Sequence, residues 1–222
     1  MYSLFCQIFK PVCRNKFSIF VCKNIVINTT KKLNLLHMKK IFNKKNLSNL
    51  LFIIAIGLLL YPPTREWGMR QIAFAPSVKN SDTIENLASY NWELKGLNTR
   101  SVNFNEFEDK VIFVNFWATW CPPCRAELPM IQKLYNDYKD KVAFVFVTNE
   151  DWNTVNKFFI EKDYDLPVYN STSTPPQKFL ETNSIPASYL IDKDGAILIS
   201  KVGAANWNSK KVRTLLDSLI LK

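Results

Sequence analysis

The 222-residue sequence predicts an α/β fold built on a mixed sheet with helices packed against it. Three observations carry that expectation. Apolar, β-branched runs alternate with helix-patterned segments through the second half of the chain. One of these runs, Val111-Ile112-Phe113-Val114-Asn115-Phe116, is apolar on both faces except at Asn115, as a strand covered on both sides must be. The chain then closes with a hairpin pattern and an amphipathic helix, which adds antiparallel pairing to a sheet begun with helical crossovers.

The elements follow in order. Trp92–Leu97 and Ser101–Phe104 read as short strands around a turn at Asn98, a hairpin ahead of the core. Val111–Trp117 is the central strand. Pro122–Tyr138 is helical, with Leu128, Ile131, Leu134, Tyr135 and Tyr138 on one stripe, and Pro129 inside it removes the bond to the Arg125 carbonyl. Val142–Thr148 is a second buried strand. Asp151 or Asn153 caps a helix that presents Val155, Phe158 and Phe159 on one face. Leu166–Tyr169 reads as a short strand and Gln177–Glu181 as a short helix. Ala187–Ile191 and Ala196–Lys201 form a hairpin across Asp192-Lys193-Asp194-Gly195. A last helix runs from Ser209, with Val212, Leu215, Leu216 and Leu219 at helical spacing.

The formal charge of +10 is unevenly placed. Residues 1–75 hold twelve Lys/Arg and one acidic residue, Glu66, whereas residues 76–222 hold seventeen Lys/Arg against eighteen Asp/Glu. The folded part is therefore close to neutral, which removes the basis for a nucleic-acid partner. The basic excess belongs to the leader. Lys39, Lys40, Lys44 and Lys45 precede the apolar stretch Leu47–Tyr61, so residues 38–63 read as a basic targeting region and membrane anchor. Fifteen residues give roughly 22 Å of helix, short for a ~30 Å hydrocarbon core, which is also the length of a signal-peptide core. Tyr61-Pro62-Pro63-Thr64-Arg65 offers no small-x-small cleavage site, and Ala73-Phe74-Ala75 lies far downstream, so an uncleaved anchor is the expectation. Residues 64–81 read as a linker and 82–222 as one domain, long enough to bury its own core. Residues 1–37 hold Cys6, Cys13 and Cys22 and no acidic residue; Met38-Lys39-Lys40 begins a conventional targeting sequence, so the upstream stretch is expected to lie outside the translated protein.

The chemistry centres on Trp117-Ala118-Thr119-Trp120-Cys121-Pro122-Pro123-Cys124. The strand-to-helix junction puts two cysteines three positions apart on the first turn, where orphan N–H groups stabilise a thiolate. Cys121, expected to be exposed, is the nucleophile, and the more buried Cys124 the resolving thiol. Pro122 and Pro123 suit the first helical turn and stiffen the dithiol. Half a zinc site, a permanent structural disulfide and two inert core thiols are the alternatives. The first needs two further ligands, yet the one His is His37. The second closes too short a loop to constrain the unfolded chain. Trp117 reads as packing beneath the site, Trp120 as an exposed aromatic or a partner contact, and Arg125 as a solvated helix side chain.

The run Phe116-Trp117-Ala118-Thr119-Trp120-Cys121-Pro122-Pro123-Cys124-Arg125 resembles the active site of the thioredoxin superfamily. Extended to Pro129 and with a leading anchor, it is similar to membrane-anchored thiol:disulfide oxidoreductases of the TlpA/ResA type, over about Asn91 to Leu221. The resemblance implies a thioredoxin fold: a mixed central sheet flanked by helices, with an N-terminal β-hairpin extension and a central insertion. It also implies a cis-proline at Pro186 opposite the dithiol, with the backbone at Ile185 pairing with an extended substrate chain. Trp120, Pro122 and Pro123 would join that substrate surface. The buried Asp of thioredoxins is here Asn115, which cannot titrate. In ResA-type relatives a Glu three residues after the second cysteine handles protons, and Glu127 stands there; the other reading is a surface Glu favoured by the helix dipole. The resemblance further implies no bound cofactor beyond the Cys121–Cys124 couple and protein disulfides such as those of apocytochromes c as substrates. Electrons would come from a membrane thiol transporter, and the domain would sit outside the cytoplasmic membrane. A thiol peroxidase on the same fold usually has Thr or Ser where Ala118 stands, and a copper-handling assembly protein normally adds a distant His. Reduction potentials across the fold run from roughly −270 to −120 mV, so two prolines leave the direction of exchange open.

Overall fold

The computed structural model describes residues 44–79 and 84–222. The leader 1–37, the start at Met38 and the first lysines of the targeting region lie outside the described residues. The chain divides into two units, at Leu59/Leu60. The first carries helix α1 (Lys44–Leu60), apolar and exposed from Leu47 onward. Among the described residues no single helix is long and apolar enough to cross a membrane; Asn46–Leu60 and Pro63–Ile72 reach that length and composition only as a bent pair.

The second unit begins with a difference from the sequence reading. Where a linker was expected, α2 (Pro62–Ile72) forms. Prolines at its first two positions lose no hydrogen bond there and are already set for helical φ. The polar composition that suggested a linker instead supplies Glu66 and Arg70, one turn apart, and α2 packs against the long helix of the domain.

The sheet has eight strands in the order β1-β8-β7-β4-β5-β6-β2-β3. They are β1 (Glu85–Asn86), β2 (Glu93–Gly96), β3 (Val102–Asn103), β4 (Val111–Phe116), β5 (Val142–Val147), β6 (Val168–Ser171), β7 (Ala187–Ile191) and β8 (Ala196–Val202). β4, β5 and β6 are parallel; β7, β8 and β1 add antiparallel strands on one side, β2 and β3 on the other. The helices are α3 (Pro122–Tyr138), α4 (Trp152–Lys162) and α5 (Lys210–Leu221). The mixed sheet is as expected, and Asp151 and Ser209 cap α4 and α5 by accepting the N–H groups of Thr154 and Val212.

Alternation along β4 sends Val111 and Phe113 to one face and Ile112 and Val114 to the other, all four buried. The first face carries the apolar stripes of α3, α4 and α5. The second is covered by Trp92, Leu94 and Val102 of the N-terminal hairpin region and by the 3-10 turns Phe104–Phe107 and Gln177–Leu180. β6 starts two residues later than expected because Pro167 has no N–H for the ladder and the Leu166 carbonyl accepts from Asn98 Nδ2 at 2.8 Å instead. At the β7–β8 turn Gly195 takes φ 82°, and Asp192 Oδ1 accepts the N–H groups of Asp194 and Ala196.

Trp92 joins hairpin to sheet: it is fully buried, its ring lies against Phe104, Phe116 and Phe179, and its Nε1 donates to Ser171 Oγ at 2.8 Å. Trp92→Ala is expected to lower unfolding free energy by about 3–5 kcal/mol in urea denaturation, the cost typical of deleting a buried aromatic.

Candidate functional site

β4 delivers the chain to the N-terminus of α3 through Trp117–Cys121. Trp117 N–H donates to the Val147 carbonyl at 3.0 Å and Cys121 N–H to that of Ala118 at 3.2 Å. Cys121 is the N-cap, extended at φ −86° and ψ 108°. Pro122 and Pro123 remove two first-turn donors, so the first free amide of the helix belongs to Cys124, and it points at Cys121 Sγ from 3.2 Å. The cysteines form a disulfide, with Sγ–Sγ 2.11 Å and Cα–Cα 5.3 Å. A thiolate released at Cys121 would meet the same N–H at the positive end of a seventeen-residue helix.

One expectation is corrected. Cys121 is only 2% exposed rather than open to solvent. The loop before β7 reaches over it: the Ile185 carbonyl oxygen lies 3.8 Å from Cys121 Sγ, and the Ile185–Pro186 peptide is cis. Pro186 is buried and its carbonyl accepts the Gly203 N–H at 2.8 Å, which ties the loop to the end of β8. Ile185, Pro122 and Pro123 are half-buried, while Trp120 is 69% exposed. The site therefore presents one large apolar side chain beside a sulfur that is almost covered. Trp117 packs beneath, stacked on Phe159 at 5.6 Å.

Glu127 lies deeper. The surface reading does not hold for it, since it is fully buried. Strand alternation puts Asn115 on the face of β4 under α3, and the β4–β7 register sets Ser188 directly beside it. Asn115 Nδ2 donates to Glu127 Oε1 at 2.9 Å and to Ser188 Oγ at 2.8 Å. Glu127 Oε2 accepts from Ala205 N–H at 3.1 Å and Trp207 Nε1–H at 3.2 Å. Burial pushes the Glu127 pKa up to about 8, outweighing these donors, which pull it down. Cys124 is one helical turn away on the same helix, a spacing that brings side chains side by side. Asn115 Oδ1 is buried without a partner, so a protonated Glu127 would find an acceptor there if the amide turned over.

Two further carboxylates complete the surroundings. Glu150, past the end of β5, accepts from Thr119 N–H and from Thr119 Oγ1–H, both at 2.6 Å, and so holds the loop two residues before Cys121. Asn170 Nδ2 in turn donates to the carbonyls of Thr148 and Glu150 at 2.6 and 3.1 Å. Arg125 is not the free helix side chain the sequence suggested: its Nη2 lies 2.7 Å from Glu66 Oε1, and its guanidinium sits 5.6 Å from the centre of the Phe158 ring. Sequence reasoning missed Glu66, Glu150, Ser188 and Trp207. Glu66 carried a signal, as the one acidic residue of the first seventy-five, and so did Ser188, the one polar residue inside Ala187–Ile191. The other two have no local signature.

The Redoxin family matches residues 75–217 of the chain. The thiol-disulfide oxidoreductase ResA of Bacillus cereus (strain ZK / E33L) is 31% identical over 115 residues, covering 51% of the chain and 66% of that protein. ResA of Halalkalibacterium halodurans is 31% identical over 129 residues, covering 57% of the chain and 72% of that protein. The chain thus spans slightly under two thirds of the length of the Bacillus cereus relative. Among solved structures, a thiol:disulfide interchange protein of the thioredoxin family from Chlorobium tepidum superposes with a TM-score of 0.50 at 23% identity, over 60% of the chain and 97% of its own, a likeness of fold. A sheet of this order, a Cys-Pro-Pro-Cys helix start and a family match over most of the folded part converge: the chain belongs to the Redoxin family and is a ResA-like member of the thioredoxin superfamily.

Proposed function

We propose that the protein is a thiol:disulfide oxidoreductase, acting as a reductase of protein disulfides outside the cytoplasmic membrane, to which its apolar N-terminal segment anchors it. The observation that carries this reading is the Cys121–Cys124 disulfide at the start of α3, with the Cys124 amide aimed at Cys121 Sγ and a buried carboxyl one turn further on. In the reducing direction the Cys121 thiolate attacks a substrate disulfide sulfur and expels one substrate thiolate, giving a mixed disulfide. Cys124, as thiolate, attacks Cys121 Sγ and expels the second substrate thiolate, and the enzyme is left oxidised. Two electrons pass from the enzyme dithiol to the substrate, and no bound cofactor takes part. Glu127 serves as the proton acceptor for Cys124, because a carboxyl whose pKa is raised to about 8 sits close to the range of a cysteine thiol.

Trp120, Pro122, Pro123, Ile185 and Pro186 form the surface that a substrate chain meets, and the Ile185 backbone offers it a strand-like partner. A disulfide presented on an extended segment, such as the paired haem-binding cysteines of an apocytochrome c, suits a sulfur this nearly covered. The electrons that restore the dithiol come from a membrane thiol carrier.

Reduced protein is expected to cleave the disulfides of insulin. Cys121→Ser should lose that activity by at least a thousandfold, whereas Cys124→Ala should accumulate a mixed disulfide visible as a covalent adduct on non-reducing gels. An unreactive wild type would overturn the reading.

The buried carboxyl makes a separate prediction about pH. Glu127 binds its proton more tightly folded than unfolded, so the folded state holds more protons between pH 4.5 and about 8, and stability falls as pH rises through that window. At about 1.4 kcal/mol per pKa unit the loss is at most about 5 kcal/mol. Glu127→Gln is expected to flatten this decline in denaturation curves of the oxidised protein, and to shift the pH profile of Cys124 reactivity in the reduced one.

A further inference from the structure

We infer that Glu66, on the helix that precedes the domain, tunes the redox poise of the dithiol by neutralising Arg125. The inference rests on the redox reading above and concerns how the same site is set. Arg125 directly follows Cys124 and lies one helical turn past Cys121, whose carbonyl accepts its N–H at 3.1 Å. Side chains on a helix lean toward its N-terminus, so a free guanidinium here would sit against the dithiol. A cation in that place favours thiolate over thiol, and so favours the reduced form over the disulfide.

In the structure that cation is matched. Glu66 is only 8% exposed, with one oxygen 2.7 Å from Arg125 Nη2 and the other 4.0 Å from Arg70. Arg125 Nε is buried and has no acceptor, and the guanidinium is held over Phe158. The other groups around Arg125 come from α2, where Arg70 shares Glu66, and from α4 and the residues after it. Glu161 is exposed and already paired with Lys162 at 3.0 Å, and Tyr164 stays neutral because burial pushes its pKa up to about 12. Glu66 is therefore the buried anion that both offsets the Arg125 charge and helps hold it over Phe158. The dithiol sits beside a guanidinium that is paired with a carboxylate rather than a free one, which lowers its potential, and the residue responsible belongs to the segment leading from the apolar helix into the domain. Docking of α2 and reducing power are thereby linked.

The measurement is the glutathione equilibrium of the full chain in detergent, for wild type, Glu66→Gln, Arg125→Gln and the double variant. Glu66→Gln is expected to shift the equilibrium constant about fivefold toward the dithiol, or about +20 mV at about 30 mV per tenfold. Arg125→Gln should shift it severalfold the other way, and the double variant should return to within twofold of wild type. Glu66→Asp, which keeps the charge, should stay near wild type. Loss of packing alone would move both single variants in the same direction, and that outcome, or shifts under twofold in both, overturns the inference. Alkylation of Cys121 by iodoacetamide at pH 6.5 gives a second readout with the same pattern, faster in Glu66→Gln and slower in Arg125→Gln. If wild type fails to exchange with glutathione, the proposed activity fails, and the alkylation series still decides the role of Glu66.

Discussion

The structure of the site depends on one buried carboxyl group. Glu127 has been taken wholly out of water, and it stays there because three donors from two parts of the fold converge on it: Asn115 from β4, and Ala205 and Trp207 from the segment after β8. A buried polar group without such partners costs several kcal/mol even when uncharged. The requirement runs outward from there. β4 and β7 must pair in the observed register to bring Ser188 beside Asn115, the segment 203–207 must return beneath α3, and α3 must enter at the angle that points Glu127 inward. The same return segment begins at Gly203, whose N–H holds the Pro186 carbonyl. The loop over Cys121 and the proton-binding group under Cys124 are thus tied to one stretch of chain.

Much of this was legible in the residues. The mixed sheet, the extent of α3 and the Asp151 cap follow from local patterns that the fold obeys: alternation, helical stripes and turn chemistry. The cis-proline position came instead from the resemblance that the dithiol motif carries. What was not legible is contact between residues distant in the chain. Nothing near Glu127 says that Trp207, eighty positions later, donates to it. The surface placement considered for Glu127 came from a sound local rule, that acidic residues suit a first turn, which tertiary packing overrode. The exposure assigned to Cys121 failed in the same way, since helix N-termini are open unless another loop covers them, and the covering loop lies sixty-four residues on. The segment 64–81 is the instructive case. Its composition is that of a linker, and its helix is held by packing against α3 and by an ion pair that no window of local sequence contains.

The two faces of the sheet are built to different ends. One carries the helices and every residue of the dithiol centre. The other is closed by aromatic side chains of the N-terminal hairpin and two short turns, with Trp92, Phe104, Phe116, Phe179 and Tyr189 in mutual contact. The N-terminal extension therefore does structural work that a helix does on the opposite face.

The complete burial of Cys124 has a kinetic meaning. With that sulfur fully buried, the exchange proposed above would join the protein covalently to a single partner at a time, through Cys121. Donor and recipient must then visit in turn, each leaving before the other arrives. The enzyme would shuttle between two stable forms in a double-displacement cycle, with parallel lines in reciprocal rate plots and no ternary complex at any stage.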